Sequence, residues 1–308
     1  MALLLDELLG EPPTRVHPVV GMGAYLDAVA PLVPAAPPVR AVATGGLAWA
    51  AGLVAVTGLA AAGDRGLGRL PVPVAVLLRG TALWTVVSGR LLRREVAAVE
   101  AALARSLQEG RDQVGRLVSR DVTALDAEQV RAAALGSLSE NLCDSVVAPL
   151  LAHAVAGVPG AVAYRFANTA DAMWGYRSAR WQHAGRVAAR ADDLANLLPA
   201  RLTGLLLLGP RRLLAGGGRS GPARLRAQAR LTPSPNGGWP MGALALRLGI
   251  RLTKPGVYDL NPDGRPATAQ DTAVALRRSC MITAVVGAAA VLGVAAAGLN
   301  RDGHGDTR

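Results

Sequence analysis

Residues 41 to 62, AVATGGLAWAAGLVAVTGLAAA, carry no charged side chain and reach the length, about 20 residues, at which a helix crosses a hydrocarbon core. Such a segment leaves few folds open. In lipid every backbone N–H and C=O must be bonded within the chain, so spanning segments are helices or strands of closed barrels. A second uncharged run, MITAVVGAAAVLGVAAAGL at 281 to 299, is rich in small residues that permit close helix packing. A shorter run at 71 to 88 is interrupted by Arg79, and a loop holding Gly63, Asp64 and Arg65 is expected to join it to the first as a helical hairpin.

Composition agrees with a membrane protein. Charged residues make up 18% of the chain, below the quarter or so usual for soluble domains, and mean hydropathy is positive. The net charge of +11 comes from arginine, with Lys254 the only lysine. These cations lie between apolar stretches, and with 3% aromatics there is no stacking platform, so membrane lipid is the expected partner and nucleic acid is not. Cys143 and Cys280 offer neither a disulfide framework nor metal-ligand spacing. The stretch MALLLDELLGEPP has carboxylates where a signal peptide would be basic.

Between Gly89 and Cys280 lies most of the polar chemistry. Residues 90 to 131 read as charged helix rich in arginine, which by the positive-inside bias faces the cytoplasm. Two further apolar stretches, 145 to 163 and 197 to 209, are flanked by arginine-rich loops on both sides and contain prolines. They read either as re-entrant or protein-buried helices or as full spans. The expected fold is all-α: a polytopic integral membrane protein with three to five transmembrane or re-entrant helices and a large helical cytoplasmic portion. It is read as one domain over 1 to 308, with an N-terminal segment (1–40), a transmembrane hairpin (41–88), a catalytic portion (89–280), a C-terminal span (281–299) and a tail (300–308). Gly216 to Gly218 mark a flexible loop and the tail, with His304, is expected to be disordered.

Four polar groups interrupt the apolar pattern. In SENLCDSV, Glu140, Asn141 and Asp144 are spaced to share one helix face, opposite Leu142 and Val146; the alternative is a helix start capped by Ser139. In YRFANTADAMWGYR, Arg165, Asn168 and Asp171 recur every third residue. In AARADDLANLLPARLT, Arg190, Asp193 and Asn196 do the same, with Asp192 beside them and Arg201 after Pro199; a surface salt bridge between Arg190 and Asp193 is the plain alternative. In LTPSPNGGWPMGA, Asn236, two glycines and an exposed Trp239 are expected in an irregular loop that lets backbone amides approach a ligand. Carboxylates in such groups suit Mg²⁺, which takes one or two of them plus substrate phosphates, and arginine suits phosphate. His17, before Pro18, reads as a structural hydrogen-bonding residue or as a substrate contact.

The opening LLLDELLGEPPTRVHPVVGMG, then RDVTALD, SENLCDSVVAPL, PGAVAYRFANTADAMWGYR, ARADDLANLLPARLT and SPNGGWP, in this order, closely resemble the CobD/CbiB family of cobalamin biosynthesis, from about residue 3 to the last span. The SPNGGWP loop departs from the family's common pattern, which has Ala before the second Gly and often a Glu soon after; here Gly237 and Met241 stand nearby. The resemblance implies a multi-pass cell-membrane adenosylcobinamide-phosphate synthase, an ATP-dependent amide ligase. It would join the corrinoid adenosylcobyric acid to (R)-1-aminopropan-2-ol or its O-phosphate using ATP and Mg²⁺, with its active site facing the cytoplasm. Other late cobalamin-pathway membrane enzymes are candidate partners. The residue roles expected on that chemistry are Glu140, Asp144 and Asp171 as catalytic groups, with Glu140 the candidate base. Asp144, Asp171, Asp192 and Asp193 are the metal contacts. Asn141, Asn168, Arg190, Arg201, Asn236, Trp239 and His17 are the substrate or phosphate contacts. Two rivals stand beside it: a Mg²⁺-dependent membrane prenyl- or phospho-alcohol transferase, and a non-catalytic corrinoid-binding membrane partner.

Overall fold

Apolar runs long enough to span a bilayer become single long helices in the computed structural model, which describes residues 1–210 and 221–302. Gly216 to Gly218 and His304 lie outside the described residues. Helices Pro38–Leu67 (α3), the run Ala127–Trp174 and the run Ala269–Gly293 are each long and apolar enough to cross a membrane. Helix is the dominant structure, as expected of an all-α polytopic membrane protein, and among the described residues the only strands are the three-residue pair Leu252–Lys254 (β1) and Tyr258–Leu260 (β2). The chain forms two compact units: 1–88, 148–195 and 284–308 make the first, and 89–147 with 196–283 the second.

In the first unit, Ala2–Leu9 (α1) lies against Val72–Trp84 (α4), and Pro18–Val29 (α2) and α3 pack on Ala148–Trp174 (α8), which also carries Arg186–Ala195 (α9). Glycines make the α3 contact possible. A Cβ at Gly45 would stand 2.0 Å from the Ala184 carbonyl oxygen, and one at Gly52 2.4 Å from Phe166 Cζ. Seven residues apart, the two glycines share a face of α3. Around them Met22, Leu26, Phe166, Ala170, Trp174 and Ala188 form a core, closed by Trp181 stacked on Trp174 at 5.0 Å. The Tyr25 hydroxyl donates to the Ala48 carbonyl at 2.7 Å. Tyr25→Phe should therefore lower stability by about 0.5–1.5 kcal/mol, read as a fall in thermal midpoint of the detergent-solubilised protein; an unchanged midpoint would deny that bond a net role.

The hairpin differs from expectation. Gly63, Asp64 and Arg65 are helical, and the turn follows at Gly68 to Pro71. Asp64 is held in the helix by an ion pair to Arg79 Nε at 2.7 Å, which also explains the cation in the short apolar run. With 13 residues α4 is too short for an upright span. Helix α8 is broken at Ala156 and Gly157, the latter at φ 64°, where Pro159 removes a backbone donor.

The second unit contains Arg90–Leu103 (α5), Leu107–Val114 (α6), Ala127–Leu142 (α7), Leu197–Leu208 (α10), Gly221–Ala229 (α11), Gly238–Leu248 (α12), the hairpin and the start of Ala269–Asp302 (α13). Helix α7 starts with a capping box, Asp126 with Gln129, and packs against α5, α6, α12 and β1. The stretch 197 to 209 is α10, with Pro199 in its first turn, where a missing N–H costs nothing. The glycine-rich segment is only partly a loop. Gly238, Trp239 and Pro240 already form the first turn of α12.

Candidate active site

Glu140 and Asn141 end α7, and Asp144 lies in the π-helical turn Cys143–Val147 that follows. From Ala132 to Leu150 every residue is buried except these three. The shared face expected from their spacing is therefore present, and it is the face with access to solvent. The capped-start alternative is not adopted: the Ser139 hydroxyl donates to the Gly136 carbonyl at 2.9 Å, and the cap of this helix is Asp126. Single π turns recur where a side chain must be re-aimed, which suits Asp144. Asn141 is committed locally, donating to the Ser137 carbonyl and hydroxyl at 3.0 and 3.1 Å.

Three residues singled out from distant parts of the sequence meet in this unit. Arg201 Nη1 donates to Asn236 Oδ1 at 2.9 Å and to the Leu197 carbonyl at 2.7 Å, while its guanidinium lies 5.0 Å from the centre of the Trp239 ring. Trp239 is half-buried beneath it rather than exposed. The Ser234 hydroxyl accepts from the N–H groups of Asn236 and Gly237, fixing the turn. This turn meets Glu140: a Cβ on Gly237 would stand 2.8 Å from Glu140 Oε1.

Two members of the group escaped sequence reasoning. Tyr258 donates its hydroxyl to Met241 Sδ at 3.4 Å, and its pKa is pushed up to about 12 by burial, with the Glu140 charge adding to this and Arg120 opposing it. Arg120 is itself shifted down by burial, partly offset by Tyr258, and its Nη1 is buried without a hydrogen-bond partner among the described residues. Arg120 opens the RDVTALD motif, and Tyr258 stands four residues after the only lysine. Those were the available signals.

The first unit gathers the remaining candidates. Asn168 Nδ2 donates to Asp192 Oδ1 at 3.2 Å, joining α8 to α9. Arg190 pairs with Asp193 at 3.7 Å, the plain surface bridge, and the carboxyl of Asp193 is shifted up by burial against the pull of Arg190. Asp171 Oδ1 folds over the backbone at Gly175, where a Cβ would come within 1.9 Å of it. His17 caps α2: its Nδ1 accepts the Val19 N–H at 3.2 Å, leaving Nε2 3.7 Å from Glu11. Burial lowers the pKa of His17, with Glu11 opposing and Arg165 adding to the shift. The neutral imidazole that an accepting Nδ1 requires is thereby favoured. Asn196 leaves the expected stripe with Arg190 and Asp193, because α9 ends at Ala195 and Asn196 is buried in the second unit beside Cys143.

Of the four expected metal contacts, Asp144 belongs to the second unit and Asp171, Asp192 and Asp193 to the first. Among the described residues no three His, Cys, Asp or Glu side chains gather as a metal cage. Taken unit by unit, one or two carboxylates are the number that Mg²⁺ takes together with substrate phosphates.

Comparison with known proteins bears on the same residues. The probable cobalamin biosynthesis protein CobD of Methanothermobacter thermautotrophicus is 38% identical over 264 residues, covering 84% of this chain and 84% of its own length. The cobalamin biosynthesis protein CobD of Chromobacterium violaceum is 44% identical over 257 residues, 82% of this chain and 79% of its own. That of Geobacter metallireducens is 36% identical over 271 residues, 86% and 83%. No solved structure matches the chain. A family model described as CobD/Cbib protein matches residues 1–285, a stretch that includes every candidate site residue, and the chain belongs to that family.

Proposed function

We propose that the protein acts in cobalamin biosynthesis as an ATP-dependent amide ligase that joins adenosylcobyric acid to (R)-1-aminopropan-2-ol or its O-phosphate. The observation that carries this reading is the open polar face of Glu140, Asn141 and Asp144 on an otherwise buried helix, in one unit with an Arg201 already oriented by Asn236 and Trp239. Family membership supports the pathway.

The side-chain chemistry matches the steps required. A carboxylate is a poor acyl donor, so its oxygen must first take a phosphoryl group, giving an acyl phosphate. Bound ATP would supply its γ-phosphoryl group, with ADP as the leaving group, and Mg²⁺ would neutralise the charge. Arg201, restrained on two sides, presents its remaining donors to phosphate oxygens, and the half-buried Arg120 adds a second cation. Glu140 takes a proton from the substrate ammonium, the freed amine attacks the activated carboxyl, and phosphate leaves. Asp144 in the second unit is proposed as an oxygen ligand in this chemistry; Asp171 and Asp192 lie in the first unit and are proposed separately as oxygen donors there. We place this chemistry on the cytoplasmic side, the side to which the positive-inside bias assigns the arginine-rich segments.

The test is direct. Protein in nanodiscs with adenosylcobyric acid, aminopropanol phosphate, ATP and Mg²⁺ should yield the condensed amide by mass spectrometry, and Asp144→Ala should abolish it. A well-folded protein that makes no amide with either amine would favour the non-catalytic corrinoid-binding reading.

A further inference from the structure

Among the described residues the Tyr258 hydroxyl donates only to Met241 Sδ, at 3.4 Å. A thioether is a weak acceptor carried on a flexible chain, so exchanging this bond for one to a carbonyl oxygen costs the phenol little. Strand register sets where Tyr258 sits. It pairs with Lys254, and Leu252 with Leu260, which puts Tyr258 on the hairpin face that carries the buried Leu252 and Leu260. That face meets α7: a Cβ on Gly136 would stand 3.8 Å from the Tyr258 hydroxyl and 3.6 Å from Met241 Sδ.

Gly136 precedes Glu140 by four residues, so the two share a face of α7 about 6 Å apart along its axis. Met241 spans that interval. Its Cε lies 3.4 Å, and Glu140 Oε1 2.8 Å, from the position of a Cβ on Gly237. The phenol and the carboxylate thus stand at the two ends of one methionine side chain. A carbonyl oxygen bonded at one end and an attacking nitrogen at the other fit such a separation. Small molecules can reach the phenol, because Tyr258 and Ala132, one turn before Gly136, line a cavity of about 690 Å³.

Arg120 is the cation that Tyr258 feels. The neighbouring Asp121 does not neutralise it, since that carboxylate accepts from the Thr123 N–H and hydroxyl at 2.9 and 2.7 Å. Among the described residues Arg120 makes no ion pair, and its buried Nη1 makes no hydrogen bond. A neutral phenol beside an unpaired guanidinium suits an oxygen that is gaining negative charge. With its pKa at about 12, the phenol keeps its proton at neutral pH.

In amide formation the carbonyl oxygen of the activated carboxyl gains a full negative charge, and neither Arg201 nor Glu140 is placed on it. We infer that Arg120 and Tyr258 form a subsite for an oxygen of a carboxyl group, in which Tyr258 acts as a further catalytic residue, donating its hydroxyl to that oxygen as the amine attacks. The role in catalysis rests on the amide-ligase reading; the subsite rests on the hairpin and α7. The nitrogen forms the C–N bond, the carbonyl π pair moves onto oxygen, and Tyr258 keeps its proton throughout. When the pair returns, the carbon–oxygen bond to phosphate breaks. One ammonium proton has gone to Glu140 before attack, and the second surplus proton leaves with the phosphate.

Rapid-quench kinetics separate the steps. Phosphoryl transfer from ATP to the carboxylate builds no charge on a carbonyl oxygen, whereas amine attack does. Tyr258→Phe, with an unchanged unfolding midpoint, should therefore give a wild-type burst of ADP but single-turnover amide formation slower by about 10²–10³-fold. An unchanged amide rate, or an equal loss in both steps, would overturn the role of the phenol and leave the ligase reading standing. A wild-type protein that forms no amide would remove that reading, and the subsite is then decided separately. The chain has four tyrosines, so protein labelled with 3-fluorotyrosine gives a fluorine resonance for Tyr258 that Tyr258→Phe identifies. Acetate at constant ionic strength should move that resonance saturably in the wild type and not in Arg120→Gln. A resonance that acetate leaves in place, or moves equally in both proteins, would overturn the subsite.

Discussion

Glu140→Gln is expected to reduce amide formation by about 10²–10⁴-fold, the range contributed by a positioned general base, with little loss of folded protein. Glutamine keeps the shape that lies against Gly237 and removes only the charge and the ability to take a proton. A second signal follows without any turnover. The Glu140 charge is one of the two influences that raise Tyr258 to about 12, so the variant's phenol should ionise at lower pH, still above an exposed tyrosine because burial persists. Ultraviolet titration of the phenolate in the wild type and in Glu140→Gln would report it, with Tyr258→Phe identifying the signal. Wild-type turnover together with a shifted Tyr258 would show that Glu140 sits as described but is not the base.

The second large effect is on folding. Gly45→Val should abolish recovery of monodisperse protein, whereas Gly58→Val on the same helix should behave as wild type. At Gly45 a Cβ would lie 2.0 Å from the Ala184 oxygen and 2.9 Å from its carbonyl carbon, both backbone atoms that cannot turn aside. At Gly58 it would meet nothing within 4 Å. Overpacking against movable side chains costs about 1–3 kcal/mol, and a backbone collision exceeds that, against total stabilities of about 5–15 kcal/mol. Size-exclusion profiles in detergent, with thermal midpoints of whatever is recovered, decide it. Comparable recovery of the two variants would mean that α3 does not seat on the segment at Ala184.

Much of this protein is legible along the chain because the relevant physics is local. An uncharged run of spanning length dictates α3, and spacing of three and four put Glu140, Asn141 and Asp144 on one face whatever the rest of the fold does. The same reasoning misjudged the turn at Gly63 to Arg65, because the ion pair from Asp64 to Arg79 that stabilises helix there is made across fifteen residues of sequence. It also extended the third polar stripe to Asn196, where the chain passes from α9 to α10.

The order of the motifs, the spanning segments and the solvent-facing acids were determined by the sequence alone, since each depends on residue type and short-range periodicity. Which groups stand together was decided only by tertiary structure. Arg201 meets Asn236 and Trp239, and Tyr258 feels Glu140 and Arg120, across separations that no periodicity encodes. Lys254 was visible as a lone lysine, but its place on the buried face of a hairpin came from strand register, which depends on pairing between two segments rather than on either one.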